Sequence, residues 1–244
     1  LLPTRNVTLS HMIDLETLMT PFDEEHAAIY DTQFGNMAPI RDCLNLTAKL
    51  ALAPLPEDAH ILCAGAGTGA EALALAAAYP GWRFCLADPA PAMLAVARTK
   101  LEAAGILERC TFHEGYLETL EKGERFNGAT SLLVSHFLTD TSEREAYFRE
   151  IATRLKPGSL FVNADLAADR SDPGFDQLMD TWISGMNASR MAPGQKSQYR
   201  EKFGTDFAAH SPQDVAAMMT SAGFTDPVQI FQGMLIRSWV TARI

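Results

Sequence analysis

Apolar positions recur along this chain in two periods, and the changes of period divide it. Asp23-Glu24-Glu25 offers an N-cap and an acidic first turn for a helix through Ala27, Ala28 and Tyr30 to about Gly35. Pro39 opens a second helix, in which Ile40, Leu44, Thr47 and Leu50 recur at helical spacing until Pro54 and Pro56 end it. Short, wholly apolar runs then alternate with alanine- and leucine-rich stretches. His60–Ala64, Trp82–Ala87, Cys110–His113, Thr130–Ser135 and Ser159–Asp165 read as strands. Gly69–Tyr79, Ala92–Ala104 and Ser142–Leu155 read as helices, the last stopped by Lys156-Pro157-Gly158. This alternation predicts βαβ units and a parallel, doubly wound sheet covered on both faces.

The order breaks after residue 166. Pro173–Phe207 carries Met179, Trp182, Met186, Met191 and Tyr199 among helix formers, without a strand period. Ser211–Ala222 reads as a capped helix. Val228–Gln232 and Ile236–Arg243 are two last strands too close together for a crossover helix, so they must pair antiparallel. The expected division is an N-terminal helical lid over residues 1–56 and one catalytic domain over 57–244, with a helical cap inserted at about 170–208.

Composition narrows the function classes. The 244 residues are 47% hydrophobic and 20% charged, which is ordinary for a globular chain. With 20 Lys and Arg against 30 Asp and Glu the net charge is −10, and no basic run offsets it, so neither nucleic acid nor an anionic membrane is an expected partner. No transmembrane span and no signal peptide is legible, and the expected location is the cytoplasm. Ser10-His11-Met12 reads like a cloning remnant, and Leu1–Met12 carries no functional argument. Cys43, Cys63, Cys85 and Cys110 lie apart in apolar surroundings; buried reduced thiols are expected, and no metal site.

The chemistry is concentrated at Gly65-Ala66-Gly67-Thr68-Gly69, between a strand and a helix. Glycines there let backbone approach a ligand, and the helix N-terminus favours acceptors and negative charge. Asp88 follows at the end of the next strand, where a carboxylate can accept both hydroxyls of a ribose. The pair describes a nucleoside-containing cofactor at the carboxyl edge of the sheet. Gly65–Ala70 also satisfies the looser dinucleotide pattern, so a nicotinamide-dependent oxidoreductase stays open at this point.

Further along, the chain resembles the class I S-adenosylmethionine-dependent methyltransferases. The likeness rests on Ile61–Gly69, on Asp88-Pro89-Ala90-Pro91-Ala92-Met93-Leu94, on Leu155-Lys156-Pro157-Gly158-Ser159, on Ser221-Ala222-Gly223-Phe224, and on the closing strand pair. It implies a Rossmann-like, mostly parallel seven-stranded sheet with a C-terminal antiparallel pair, S-adenosylmethionine as cofactor and S-adenosylhomocysteine as product. Carried over by position, it implies cofactor contacts from Tyr30, Ala64, Gly65, Ala66, Gly67, Asp88, Pro89, Met93, Tyr116, Leu117 and Ser135. Two departures stand out. The family's acidic residue two before the first glycine is Cys63 here, and the one after strand three is replaced around Tyr116.

A narrower likeness, in Pro21-Phe22-Asp23-Glu24 and Phe231-Gln232, is to carboxy-S-adenosylmethionine synthases. It implies Arg200 as a grip on a carboxylate. Asn36–Arg41 replaces those enzymes' Ser-Val-Pro-Gly-Tyr segment and removes its tyrosine, so that activity is not adopted. The expected acceptor is a small molecule, met by Arg41, Trp182 and Arg200, with His136 as candidate general base. A non-catalytic cofactor-binding relative is the third alternative, and a homodimer is compatible with the chain.

Overall fold

A computed structural model describes Ala27 and residues 37–123, 125–185 and 193–244, excepting the side chains of 193–196. The helix expected up to Gly35, with Tyr30, and the methionines Met186 and Met191 lie outside the described residues. The elements run α1 (Ala38–Leu52), β1 (His60–Ala64), α2 (Ala70–Ala78), β2 (Arg83–Asp88), α3 (Pro91–Ala103), β3 (Cys110–Glu114), β4 (Phe126–Leu132), α4 (Thr141–Ala152) and β5 (Leu155–Leu166). Two inserted helices follow, α5 (Phe175–Gly185) and α6 (Pro193–Lys202), then α7 (Pro212–Ser221), β6 (Val228–Gly233) and β7 (Ile236–Ala242).

One seven-stranded sheet has the order β3-β2-β1-β4-β5-β7-β6. Pairing is parallel from β3 to β5, and β7 is antiparallel to both neighbours. Successive residues of β1 feed opposite faces. Ile61 and Cys63 join Leu52, Leu75, Phe84 and Leu94 on one side, while Leu62 and Ala64 join Phe148, Phe161, Phe224 and Trp239 on the other. A third cluster, with Leu44, Leu166, Trp182, Ile183, Phe203 and Ile236, glues the inserted helices to α1 and to the carboxyl end of β5. The chain reverses its winding between β1 and β4, and open α/β sheets bind ligands in the crevice at that point.

Two expectations are corrected. The apolar run Thr130–Ser135 is not a strand throughout: β4 ends at Leu132, Leu133 takes a left-handed φ of 63°, and Ser135–Phe137 form a 3-10 turn. Leu133, Val134 and Phe137 face cavities and do not pair in the sheet. Lys156-Pro157-Gly158 does not precede β5 but lies inside it, where a register shift opposite Phe126/Gly128 and a φ of 78° at Gly158 take up the extra residues. Among the cysteines, Cys63 and Cys85 are buried as expected, but Cys43 is exposed. No described helix is long and apolar enough to cross a membrane.

Candidate active site

At the crevice the glycine loop leaves β1 tied to β2, since Gly65 and Ala66 both donate their N–H to the Ala87 carbonyl. Gly65 has φ 69°, and a Cβ there would run into the side chain of Val134, two residues past the end of β4. Asp88 is buried; its carboxylate accepts the Gly67 N–H (2.8 Å) on one oxygen and the Ala90 N–H (2.9 Å) on the other. Burial pushes this carboxyl above its ordinary value, and the two N–H groups oppose that. Roughly two of its four acceptor sites remain for a ligand.

Beside Asp88 opens a cavity of about 360 Å³, within the range of small-molecule sites. Gly65, Pro89, Tyr116 and Leu117 line it, as do Ala87, Val134, Phe137, Leu138 and Tyr147, which the sequence did not single out. Ala64, Ala66 and Met93 are buried behind the wall, with the Met93 methyl near the open face of Gly67. Arg154, wholly buried between α4 and β5, donates to the carbonyls of Leu117 and Leu120 and so fixes the turn that presents Tyr116 and Leu117.

A carboxyl does lie beside Cys63, but it comes from the next helix and not from the strand. Glu71, in the first turn of α2, is buried beside Cys63 and accepts the Thr130 hydroxyl at 2.7 Å. Burial pushes its carboxyl up to about 7. An acid in an otherwise alanine- and leucine-rich helix was the available signal.

A second cavity, about 290 Å³, lies on the far side of Phe137, which lines both. Its wall is apolar: Met37, Ile40, Leu133, Leu166, Phe207 and Ile236. The polar groups on it are Arg41, Trp182, Tyr199 and His136. The Trp182 indole donates to the Tyr199 hydroxyl at 2.7 Å, and burial pushes that phenol up to about 12.

His136 is buried on the 3-10 turn after β4, with Nδ1 3.1 Å from a carboxylate oxygen of Asp165, near the end of β5. Ser135, expected at the cofactor, is buried and donates its hydroxyl to the other oxygen of Asp165, which it supports. Burial alone would raise Asp165; Arg144, His136 and Ser135 outweigh it and hold it at about 2. Asp165 and Arg144 were missed. A carboxylate closing an apolar strand, and an arginine in line with Phe148, Ile151 and Leu155, were the signals.

Arg200 lines neither cavity. It is half-buried on α6 and pairs with Asp176 (3.1 Å) and Asp180 of α5, so the implied grip on a ligand carboxylate is replaced by a clasp between two inserted helices. No group of His, Cys, Asp and Glu able to hold a metal ion occurs among the described residues.

Residues 61–158 match the sequence family described as a methyltransferase domain. No curated protein matches the chain. Among solved structures it is similar to an O-methyltransferase family protein from Burkholderia thailandensis (15% identity, TM-score 0.67, 91% of this chain and 60% of that one). It is also similar to the mitomycin 7-O-methyltransferase (20%, 0.63, 93% and 60%). A third is an O-methyltransferase family 2 protein from Planctomyces limnophilus solved with apigenin (15%, 0.58, 91% and 62%). This chain spans 60–62% of the length of these three.

Proposed function

We propose that this chain is a class I S-adenosylmethionine-dependent methyltransferase that methylates a hydroxyl of a small, largely apolar acceptor. The residues present fit S-adenosylmethionine. Asp88 keeps acceptor sites for the ribose, the apolar cavity beside Tyr116 and Leu117 suits the adenine, and Gly65, whose side is closed to any Cβ by Val134, puts backbone on the cavity wall. When bound, the cofactor supplies an electrophilic methyl group on a sulfonium.

The observation that carries the acceptor reading is His136. Its Nδ1 faces Asp165, its Nε2 has no partner among the described residues, and its ring lines the apolar cavity. A bare Nε2 can take the proton of an acceptor hydroxyl as that oxygen bonds to the methyl, which leaves a neutral ether and S-adenosylhomocysteine. Leu133, Phe137 and Trp182 give the cavity an apolar wall against which an acceptor can be positioned. The neighbour solved with apigenin, a flat phenol, supports an acceptor of this kind. The carboxylate-gripping alternative loses its residue, because Arg200 is committed to Asp176 and Asp180.

Calorimetry with S-adenosylmethionine and with NAD(P) decides the cofactor. A panel of phenols is then assayed for S-adenosylhomocysteine release. Binding of NAD(P) in preference to S-adenosylmethionine would overturn the reading. So would transfer only to amines or thiols.

A further inference from the structure

Asp165 is wholly buried and accepts five hydrogen bonds. One oxygen takes the His136 backbone N–H (3.0 Å) and Nδ1 (3.1 Å). The other takes the Ser135 hydroxyl, the Asn163 amide (2.8 Å) and Nη2 of Arg144 (2.9 Å). Only Arg144 among these donors brings a permanent charge. It too is wholly buried, and its remaining nitrogens are fixed: Nε donates to Ser135 Oγ (3.1 Å) and Nη1 to Nδ1 of His210 (3.2 Å).

We infer that Arg144 is a positioning residue for methyl transfer: by holding Asp165 as an anion it keeps the proton of a neutral His136 on Nδ1 and leaves Nε2 bare toward the acceptor cavity. The inference rests on the reading of His136 as base. An ionised carboxylate can only accept, so the ring nitrogen facing it must carry hydrogen. Take the guanidinium away and a buried carboxylate is left with neutral donors. It can then bind a proton itself, becoming a donor, so that Nδ1 turns acceptor and the ring proton moves to Nε2. Or the unopposed anion draws a second proton onto the ring, again at Nε2. Both routes block the atom that must accept the substrate's proton.

His210 completes the clamp. Accepting from Arg144 requires a bare Nδ1, so this ring is neutral and directs Nε2–H to Thr141 Oγ1 at 3.2 Å. Burial and then Arg144 hold it below the ordinary histidine value. Two residues earlier, Ala208 donates its N–H to the His136 carbonyl at 2.7 Å, so the segment leaving the inserted helices is tied to the base through Ala208 and to Arg144 through His210. The other titratable groups facing this network are Tyr147 of α4, which bonds Ser131, Arg41 and Tyr199 on the cavity wall, and Asp140 and Asp214 near His210.

The test is the nitrogen-15 spectrum of the histidine rings in the full chain, at pH 8, in wild type, Arg144→Met and Arg144→Lys. In wild type, Nε2 of His136 gives the far-downfield signal of a nitrogen without hydrogen, and Nδ1 that of an N–H. In Arg144→Met the downfield Nε2 signal is lost; in Arg144→Lys it is kept. S-adenosylhomocysteine binding confirms that each variant folds, and Arg144→Gln, which keeps a donor without the charge, replaces a Met variant that does not. A neutral wild-type ring with its proton on Nε2 overturns the inference, as do unchanged nitrogen signals in the Met or Gln variant. No acceptor or turnover enters this measurement, so a failed search for an O-methylated product counts against the proposed function and leaves the tautomer result to stand or fall alone.

Discussion

The two cavities that meet at Phe137 are built from different materials. Around Asp88 the polar contacts are made by backbone of two neighbouring loops: Gly65, Ala66 and Gly67 reach Ala87 and Asp88, and Ala90 turns back on the same carboxylate. Around His136 they are made by side chains from β5, α4 and the segment before α7, packed under inserted helices. Backbone amides from a glycine loop tolerate many side chains and suit a ligand that does not vary. A side-chain network specifies one atom of one histidine and costs a buried charge pair to keep. The first arrangement suits a constant cofactor, the second a chemistry particular to the acceptor.

If that division holds, the halves come apart under mutation. The largest effect is expected from His136→Gln: turnover of the identified acceptor falls by about a hundredfold or more, while calorimetry shows S-adenosylmethionine affinity unchanged. A parallel loss of cofactor affinity would mean that the histidine serves both cavities.

Asp88→Ala is the mirror case. Removing a charged partner costs about 1.5–3 kcal/mol of cofactor affinity, a tenfold or greater rise in Kd, while the nitrogen signals of His136 stay where they were. Unaltered affinity in a folded variant would remove Asp88 from the site.

Glu71 sharpens the comparison, because it is a buried carboxyl of the cofactor half with no N–H donor from the described backbone to hold its charge. Its carboxyl stands at about 7 against an ordinary 4.5, so the unfolded chain releases this proton first. The neutral form's contribution is whole below about pH 4.5 and is lost as pH rises toward 7. Glu71→Gln removes the loss. Urea denaturation should show it more stable than wild type by about 1–3 kcal/mol at pH 8, with little difference at pH 4.5. Equal gains at both values would refute the burial argument.

The smallest effect belongs to Arg200→Ala. Its ion pairs with Asp176 and Asp180 are partly solvated, so stability changes by at most about 1 kcal/mol, and neither cofactor affinity nor turnover moves. A large rise in acceptor KM would return Arg200 to the binding site.

The contrast also governs what could be read in advance. Strand β1 matched its expected bounds, and α2, β2 and α3 fell within a residue or two, because glycine, proline and apolar runs act over a few positions. The same locality misled at β4. A run of apolar residues looks alike whether it pairs in a sheet or lines a cavity, and only the pairing of Leu132 with Ala164 marks where one becomes the other.

What the sequence determined by itself was the layered sheet, the glycine loop with Asp88, and the capped α7, whose Ser211 and Asp214 form the reciprocal bonds their spacing implies. Each depends on residues close along the chain, where geometry follows from φ, ψ and hydrogen-bond reach. The tertiary structure decided the rest. Asp165 meets His136 across 29 positions, His210 meets Arg144 across 66, and Glu71 lies beside Cys63 from a neighbouring helix. No local pattern encodes such meetings. They arise because burying both faces of the sheet brings β4, β5 and α4 together, and a charge caught in that burial persists only where another is packed against it.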